Sequence, residues 1–391
     1  MKDDRINISF AAAHIEDSLL YGAGFGRNLL FCWNMENREL QSLAAFGRFQ
    51  NFNGNHIAAV FRYGDQLFCF SKFSYVVAAW HLKEKSFTYY APEEEAEEGM
   101  CIRSICRVGD DVWMLQKVTD SSAVVFSMRN GRFSRCTVNA DLERHFQISE
   151  IISYGVENSV AAGNRIWRCI PGTDALLGFD TKSLETEIVK FHIPDTFYTI
   201  HEKDGWIYIL GAGGKHVIAW NPDTREQTIW DTEYEGISDR PFREAVRAGN
   251  RLFLLPCFEE KIFCYEIRGD RIFFISKLEY PAGFEKIHDP QNRSMFLGSV
   301  FTDKNLLYLF PMAGNGLLSL HTESMKMSLF PIQLSKNEYI SVQTNAGNII
   351  PEYQIDLQDY LEFIEAGKTD FRQNGGYEDY AGTRCWNALK K

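Results

Sequence analysis

The sequence predicts an all-β fold made of seven repeats, and two observations carry that prediction. First, a turn residue or pair followed by an apolar residue, an aromatic and a short hydrophobic run recurs along the chain, most plainly at Gly64-Asp65-Gln66-Leu67-Phe68. The aromatics stand at Tyr21, Phe68, Trp113, Trp167, Tyr208, Phe253 and Tyr308, a mean spacing of about 48 residues, inside the range of closed and stacked repeat folds. Second, the stretches between turns are short and rich in β-branched and aromatic residues, without sustained helical periodicity.

Each repeat reads as four strands. A strand of small and β-branched residues, such as Ile57 to Phe61, precedes the turn, and the aromatic-bearing second strand follows it. The third strand ends in an aromatic and a polar residue, and the fourth alternates apolar and polar residues. The third strands show this ending at Phe31-Cys32-Trp33-Asn34, Ala79-Trp80-His81, Gly178-Phe179-Asp180, Ala219-Trp220-Asn221 and Cys264-Tyr265-Glu266. A turn comes next, as in Asn221-Pro222-Asp223-Thr224, where proline fixes φ and Asx side chains cap the backbone. Seven four-stranded sheets arranged radially make a β-propeller, with blades starting near residues 6, 55, 100, 155, 197, 242 and 296 within a domain of residues 1–337.

The third-strand pairs resemble those of the kelch-like and YVTN-like propeller group, over about residues 6 to 331. The kelch double glycine, the Trp-Asp dipeptide of WD40 blades and the sialidase Asp box are missing, so the resemblance implies architecture and carries no active site with it.

After the seventh repeat, Tyr339 to Thr344 with Ala346 to Ile350 reads as half of an eighth. Residues 338–356 are therefore expected to form a capping hairpin, or to pair with the N-terminal strand near Ile6 to Phe10 and close the ring; eight blades are the alternative. Residues 357–391 read as a helical tail, since Leu357, Tyr360, Leu361 and Ile364 fall at helical spacing. The segment Ala381 to Leu389 is similar to C-terminal tails of proteins from bacterial surface-polysaccharide gene clusters.

The formal net charge of −11 argues against a nucleic-acid surface, which needs a basic patch. No apolar run reaches the length of about 18 residues that a membrane span requires. The start of the chain has no apolar signal core, and the nine cysteines, several of them inside strand patterns, read as buried reduced thiols. These features fit a cytoplasmic, bacterial protein.

In a propeller the first strands line the central channel, and the loops entering them share one face with the second-to-third-strand loops. The channel series is Ala12, Ala59, Ser104, Asn158, Thr199, Glu244 and Ser299, small or polar except for the carboxylate of Glu244. His56, Arg103, Tyr198 and Arg243 stand near the starts of these strands, and Lys72 and His216 on the neighbouring loops. Such a mouth suits a small acidic, sugar-like or peptide ligand, because guanidinium forks match carboxylates; Arg103, Asn158, Arg243, His216 and Lys72 are the candidate contacts.

A protein partner at the channel mouth is the other occupant a binding propeller admits. If His56, Tyr198 and Glu244 converge with an arginine, the set has the acid–base groups of a lyase or epimerase. No metal-ligand spacing is present, so no metal is assigned, and the residue pattern leaves the cofactor unknown. Gly211-Ala212-Gly213-Gly214-Lys215 looks like a phosphate loop but precedes a strand, so no helix N-terminus stands behind it.

Overall fold

The computed structural model describes residues 5–346 apart from 9, 25–27, 48–51, 53, 55–56, 94–101, 117–121, 139–141, 147–158, 237–239, 286–295, 302–304 and 312–313. Seven four-stranded antiparallel sheets follow one another along the chain, each built from consecutive strands. Their first strands begin at Phe10, Ile57, Ser104, Ser159, Phe197, Phe242 and Phe296. The first strands of blades 1 and 2 touch, as do those of blades 3 to 7 in turn; Phe68 and Phe126 join blades 2 and 3, and the first blade meets the seventh, so the ring closes. This is the seven-bladed propeller.

The two repeated aromatic positions meet each other across the blade interfaces. Trp113 of blade 3 lies 5.4 Å from Phe179 of blade 4, and Trp167 of blade 4 stands edge-on to Trp220 of blade 5 at 4.7 Å and 89°. Phe68 and Phe126 join blades 2 and 3 at 5.7 Å. Tyr308 of blade 7 reaches Trp33 of blade 1 at 6.5 Å, carrying the same contact across the closure. Gly178 lies opposite Trp167 in the sheet, and a Cβ there would come within 2.4 Å of the indole, so a glycine is required.

The polar residue after the third-strand aromatic shapes the outer turn. Asn34, Asp180 and Asn221 each accept hydrogen bonds from the backbone N–H groups two and three residues on, at 2.8 to 3.2 Å. The residue four positions on takes a positive φ and donates back to the carbonyl of the polar residue, as Arg38, Leu184 and Arg225 do. The repeat therefore encodes a hairpin whose Asx side chain replaces missing backbone partners.

The chain ends at the seam differently from the hairpin expected over 338–356. Arg5–Asn7 pairs antiparallel with Gln333–Ser335, and residues Lys336–Asn345 form a helix where Tyr339 to Thr344 read as a strand. Ser335 is the N-cap of this helix: its hydroxyl accepts from the Glu338 N–H at 3.1 Å. The Glu338 carboxylate then accepts from the Ser42 hydroxyl at 2.6 Å, and Gln343 donates to the Asn28 carbonyl at 3.2 Å, fastening the helix to blade 1. Ile6, Leu334 and Tyr339 bury their side chains in one cluster with Trp33 and Tyr308. The tail at 357–391 lies outside the described residues.

Seven cysteines are described and all are free. Burial pushes the Cys106 thiol up to about 12. Among the described residues no helix is long and apolar enough to cross a membrane.

Leu334 is 1% exposed in the cluster that joins the first blade to the seventh. Leu334→Ala is expected to cost about 2–5 kcal/mol of stability. Ile6→Ala shares its partners, so a double-mutant cycle read by urea denaturation should show a cost smaller than the sum of the two.

Candidate functional site

The first strand carries a β-bulge at the same place in several blades. The register skips Ala11, Ala58, Tyr198 and Arg243, in blades 1, 2, 5 and 6, and shifts again in blade 7 after Phe296. A bulge leaves one residue unpaired and re-aims its side chain. In blade 2 that residue is an exposed alanine. In blades 5 and 6 it is a tyrosine and an arginine.

Tyr198 and Arg243 come together, the Arg243 guanidinium donating to the Tyr198 hydroxyl at 3.5 Å. Arg240, in the segment leading into blade 6, joins them: its guanidinium carbon lies 5.4 Å from the Tyr198 ring centre and 5.8 Å from that of Phe258. Backbone hydrogen bonds tie this segment to the second-to-third-strand loop of blade 6, from Cys257 and Glu259 to the Pro241 carbonyl at 2.8 and 2.9 Å. The Tyr234 hydroxyl donates to Glu259 at 2.7 Å and fixes the same loop.

Glu244 has its partner in blade 5. Its carboxylate lies 2.5 Å from Nδ1 of His201, a residue of blade 5, and the two side chains are only 10% and 18% exposed. Burial works against charge on His201, but the attraction of Glu244 and the hydrogen bond to it outweigh burial, so the folded pKa lies above the ordinary 6.5. Farther round the channel the Ser104 and Ser159 hydroxyls are hydrogen-bonded between blades 3 and 4. Ser299 sits one register position out from the rest of the channel series, opposite Leu309.

His216 meets Asp195, with Nδ1 at 3.3 Å from Oδ2. Lys72 and Arg103 stand on blades 2 and 3, three places around the ring from blades 5 and 6. Their segments are linked by the Ile102 N–H donating to the Lys72 carbonyl at 2.8 Å. The Arg103 Nε is buried without a hydrogen-bond partner among the described residues. His56 and Asn158 lie outside the described residues.

The repeat pattern names Tyr198, Arg243, Glu244 and His216 but not Arg240, His201 and Asp195, which the structure brings into contact with them. The signal for His201 was its place two residues beyond Thr199, opposite the repeat aromatic Tyr208. Among the described residues no three His, Cys, Asp or Glu side chains gather as metal ligands do.

No protein-family profile and no curated protein matches the chain. Solved structures match it in fold. Streptogramin B lyase superposes with a TM-score of 0.56 at 10% identity, over 84% of this chain and 95% of the other. A catalytically inactive variant of virginiamycin B lyase from Staphylococcus aureus gives 0.55 at 11% identity, over 79% and 96%. A chain of the Mitotic Checkpoint Complex gives 0.53 at 9% identity, over 78% and 87%. At these identities the likeness concerns the fold.

Because the folded pKa of His201 is raised, folding takes up a proton between the unfolded and folded values. The pair stabilises fully below about pH 6.5, and its contribution is lost as pH rises through the folded pKa. The urea midpoint of the natural protein should exceed that of Glu244→Gln most near pH 6 and converge with it at alkaline pH. An advantage that grows with pH would contradict the pairing.

Proposed function

We propose that the chain is a binding propeller whose loop-bearing face, at blades 5 and 6, receives a small carboxylate-bearing or sugar-like ligand or an acidic peptide. The observation that carries this reading is the Arg240–Tyr198–Arg243 group, two guanidinium groups held on one tyrosine at a bulged position of the channel wall. A guanidinium lying over two aromatic rings is restrained in position while its N–H donors remain able to pair with a carboxylate. Phe258, partly exposed, offers an apolar face of the kind that packs on a sugar ring.

The similar structures include one lyase solved with quinupristin and one chain within a mitotic checkpoint assembly, so small molecules and proteins both find partners in propellers of this shape. Kinship with the kelch-like and YVTN-like group is part of this reading and rests on the third-strand aromatic–polar pairs. The setting we favour is a cytoplasmic one in a bacterial surface-polysaccharide or peptide-modification pathway, on the free buried cysteines and the similarity of residues 381–389.

One observation favours a second reading, that of a lyase or epimerase. His201 and Glu244 form a buried acid–base pair, Glu244 being the residue after Arg243, and two of the similar structures are lyases. In that case His201→Gln would reduce turnover of the bound acid by about 10²–10⁴-fold with little change in its affinity.

The binding reading is tested by thermal shift of the full chain with acidic sugars, nucleotide sugars and short acidic peptides. A ligand at a hundred times its Kd adds about 2.7 kcal/mol of stability and raises Tm. Arg243→Ala and Arg240→Ala should each abolish the shift. A response unchanged in both variants, or no response to any acid, overturns the assignment of this mouth.

A further inference from the structure

The helix at the seam ends beside the channel mouth, and the sequence that follows it is strongly charged. From Glu352 to Glu365 there are five carboxylates, Glu352, Asp356, Asp359, Glu362 and Glu365, and no lysine or arginine. We infer that this acidic segment is an internal occupant of the mouth: it folds back within its own chain over blades 2 and 3, where its carboxylates meet Lys72 and Arg103.

The last turn of the helix decides where the segment starts. Gln343 donates to the carbonyl of Asn28, which lies between the second and third strands of blade 1. The Asn28 side chain in turn donates at 2.8 Å to the carbonyl of Phe46, on the segment leaving the fourth strand. A Cβ on Gly47 would lie 3.6 Å from the Ala346 carbonyl oxygen and 3.9 Å from the hydroxyl of Tyr89, a residue of the outer strand of blade 2. These loops belong to the face that carries the mouth. The helix therefore hands the chain to that face at the rim of blades 1 and 2.

Two cations of the neighbouring blades stand on the same face. Lys72 follows the second strand of blade 2, and Arg103 directly precedes the first strand of blade 3. The bond from the Ile102 N–H to the Lys72 carbonyl holds the two segments together. Arg103 and Ser104 both address Leu115, the first through an N–H donated to its carbonyl at 2.9 Å and the second as its register partner. Arg103 thus occupies the bulge position that Tyr198 and Arg243 hold in blades 5 and 6, on the innermost strand. Its Nε is buried and has no acceptor among the described residues.

Ten residues lead from Ala346 to Asp356, a reach of up to about 35 Å, and blade 2 adjoins the exit. Single exposed ion pairs are weak. A tethered segment, however, meets its site at an effective concentration of about millimolar, so a few such pairs acting together hold it.

Zero-length crosslinking of the full chain with a water-soluble carbodiimide, which joins an ammonium to a carboxylate in contact with it, tests this. Peptide mapping of the single-chain product should show Lys72 joined to Asp356, Asp359 or Glu362. The exposed Lys83–Asp65 pair, 2.5 Å apart, reports that the ring is folded and the reagent active. Arg103→Glu should lower the Lys72 yield more than about fivefold, the upper worth of one exposed ion pair with repulsion added, and leave the Lys83 link unchanged.

A Lys83 link without any link from Lys72 to residues 352–365 overturns the docking. Lys72 joined instead to the run Glu93 to Glu98 gives the cations to the segment before blade 3 and overturns it as well, as do links to the acidic segment found only between two chains. An unchanged Lys72 yield in Arg103→Glu overturns the role of Arg103. The Arg240–Tyr198–Arg243 assignment is read by ligand binding and stands or falls separately.

Discussion

The molecule depends on one contact repeated around the ring: the aromatic of a second strand set against the third-strand side chain of the next blade. A four-stranded sheet with two apolar faces has no stable existence in water until both faces are covered. Trp167 on Trp220 and Trp113 on Phe179 provide that cover with large rings at edge-on or tilted angles, the arrangement that aromatic quadrupoles favour. Because Tyr308 must find Trp33 for the series to close, the last blade is useful only when the first is in place. The two-stranded clasp and its helix lie over that junction for the same reason.

What was legible in the sequence is what the blades share. The aromatics recur because each interface needs one, and the Asx residues recur because each outer hairpin needs a cap, so spacing alone reveals them. The closing helix occurs once. Its N-cap pattern at Ser335 and Glu338 is readable, but the apolar run after it reads as one more strand because the seven preceding repeats favour that interpretation.

The candidate site was half legible for a related reason. Tyr198, Arg243 and Glu244 stood out as departures from a row of small residues at one repeat position. His201, Arg240 and Asp195 did not, because their roles come from contacts between blades or between a loop and the next strand, which no period within a blade records. Even the row itself slipped at Ser299, where the register shift in blade 7 displaces it by one. A ring of near-equivalent blades thus carries an unequal mouth: an exposed alanine at the bulge of blade 2, and bulky donors at the same bulge in blades 5 and 6.

The clasp at the seam has a mechanical consequence. Arg5 pairs with Ser335 and Asn7 with Gln333, so the N-terminal segment and the chain that runs on into the helix leave the two-stranded sheet at the same end. Tension applied between the two ends of the protein therefore loads these hydrogen bonds one after another, as a zipper is loaded, instead of all at once in shear. Each blade, by contrast, is a continuous stretch whose strands run back and forth within one sheet. A pull on the termini meets its least resistance where the circle was joined.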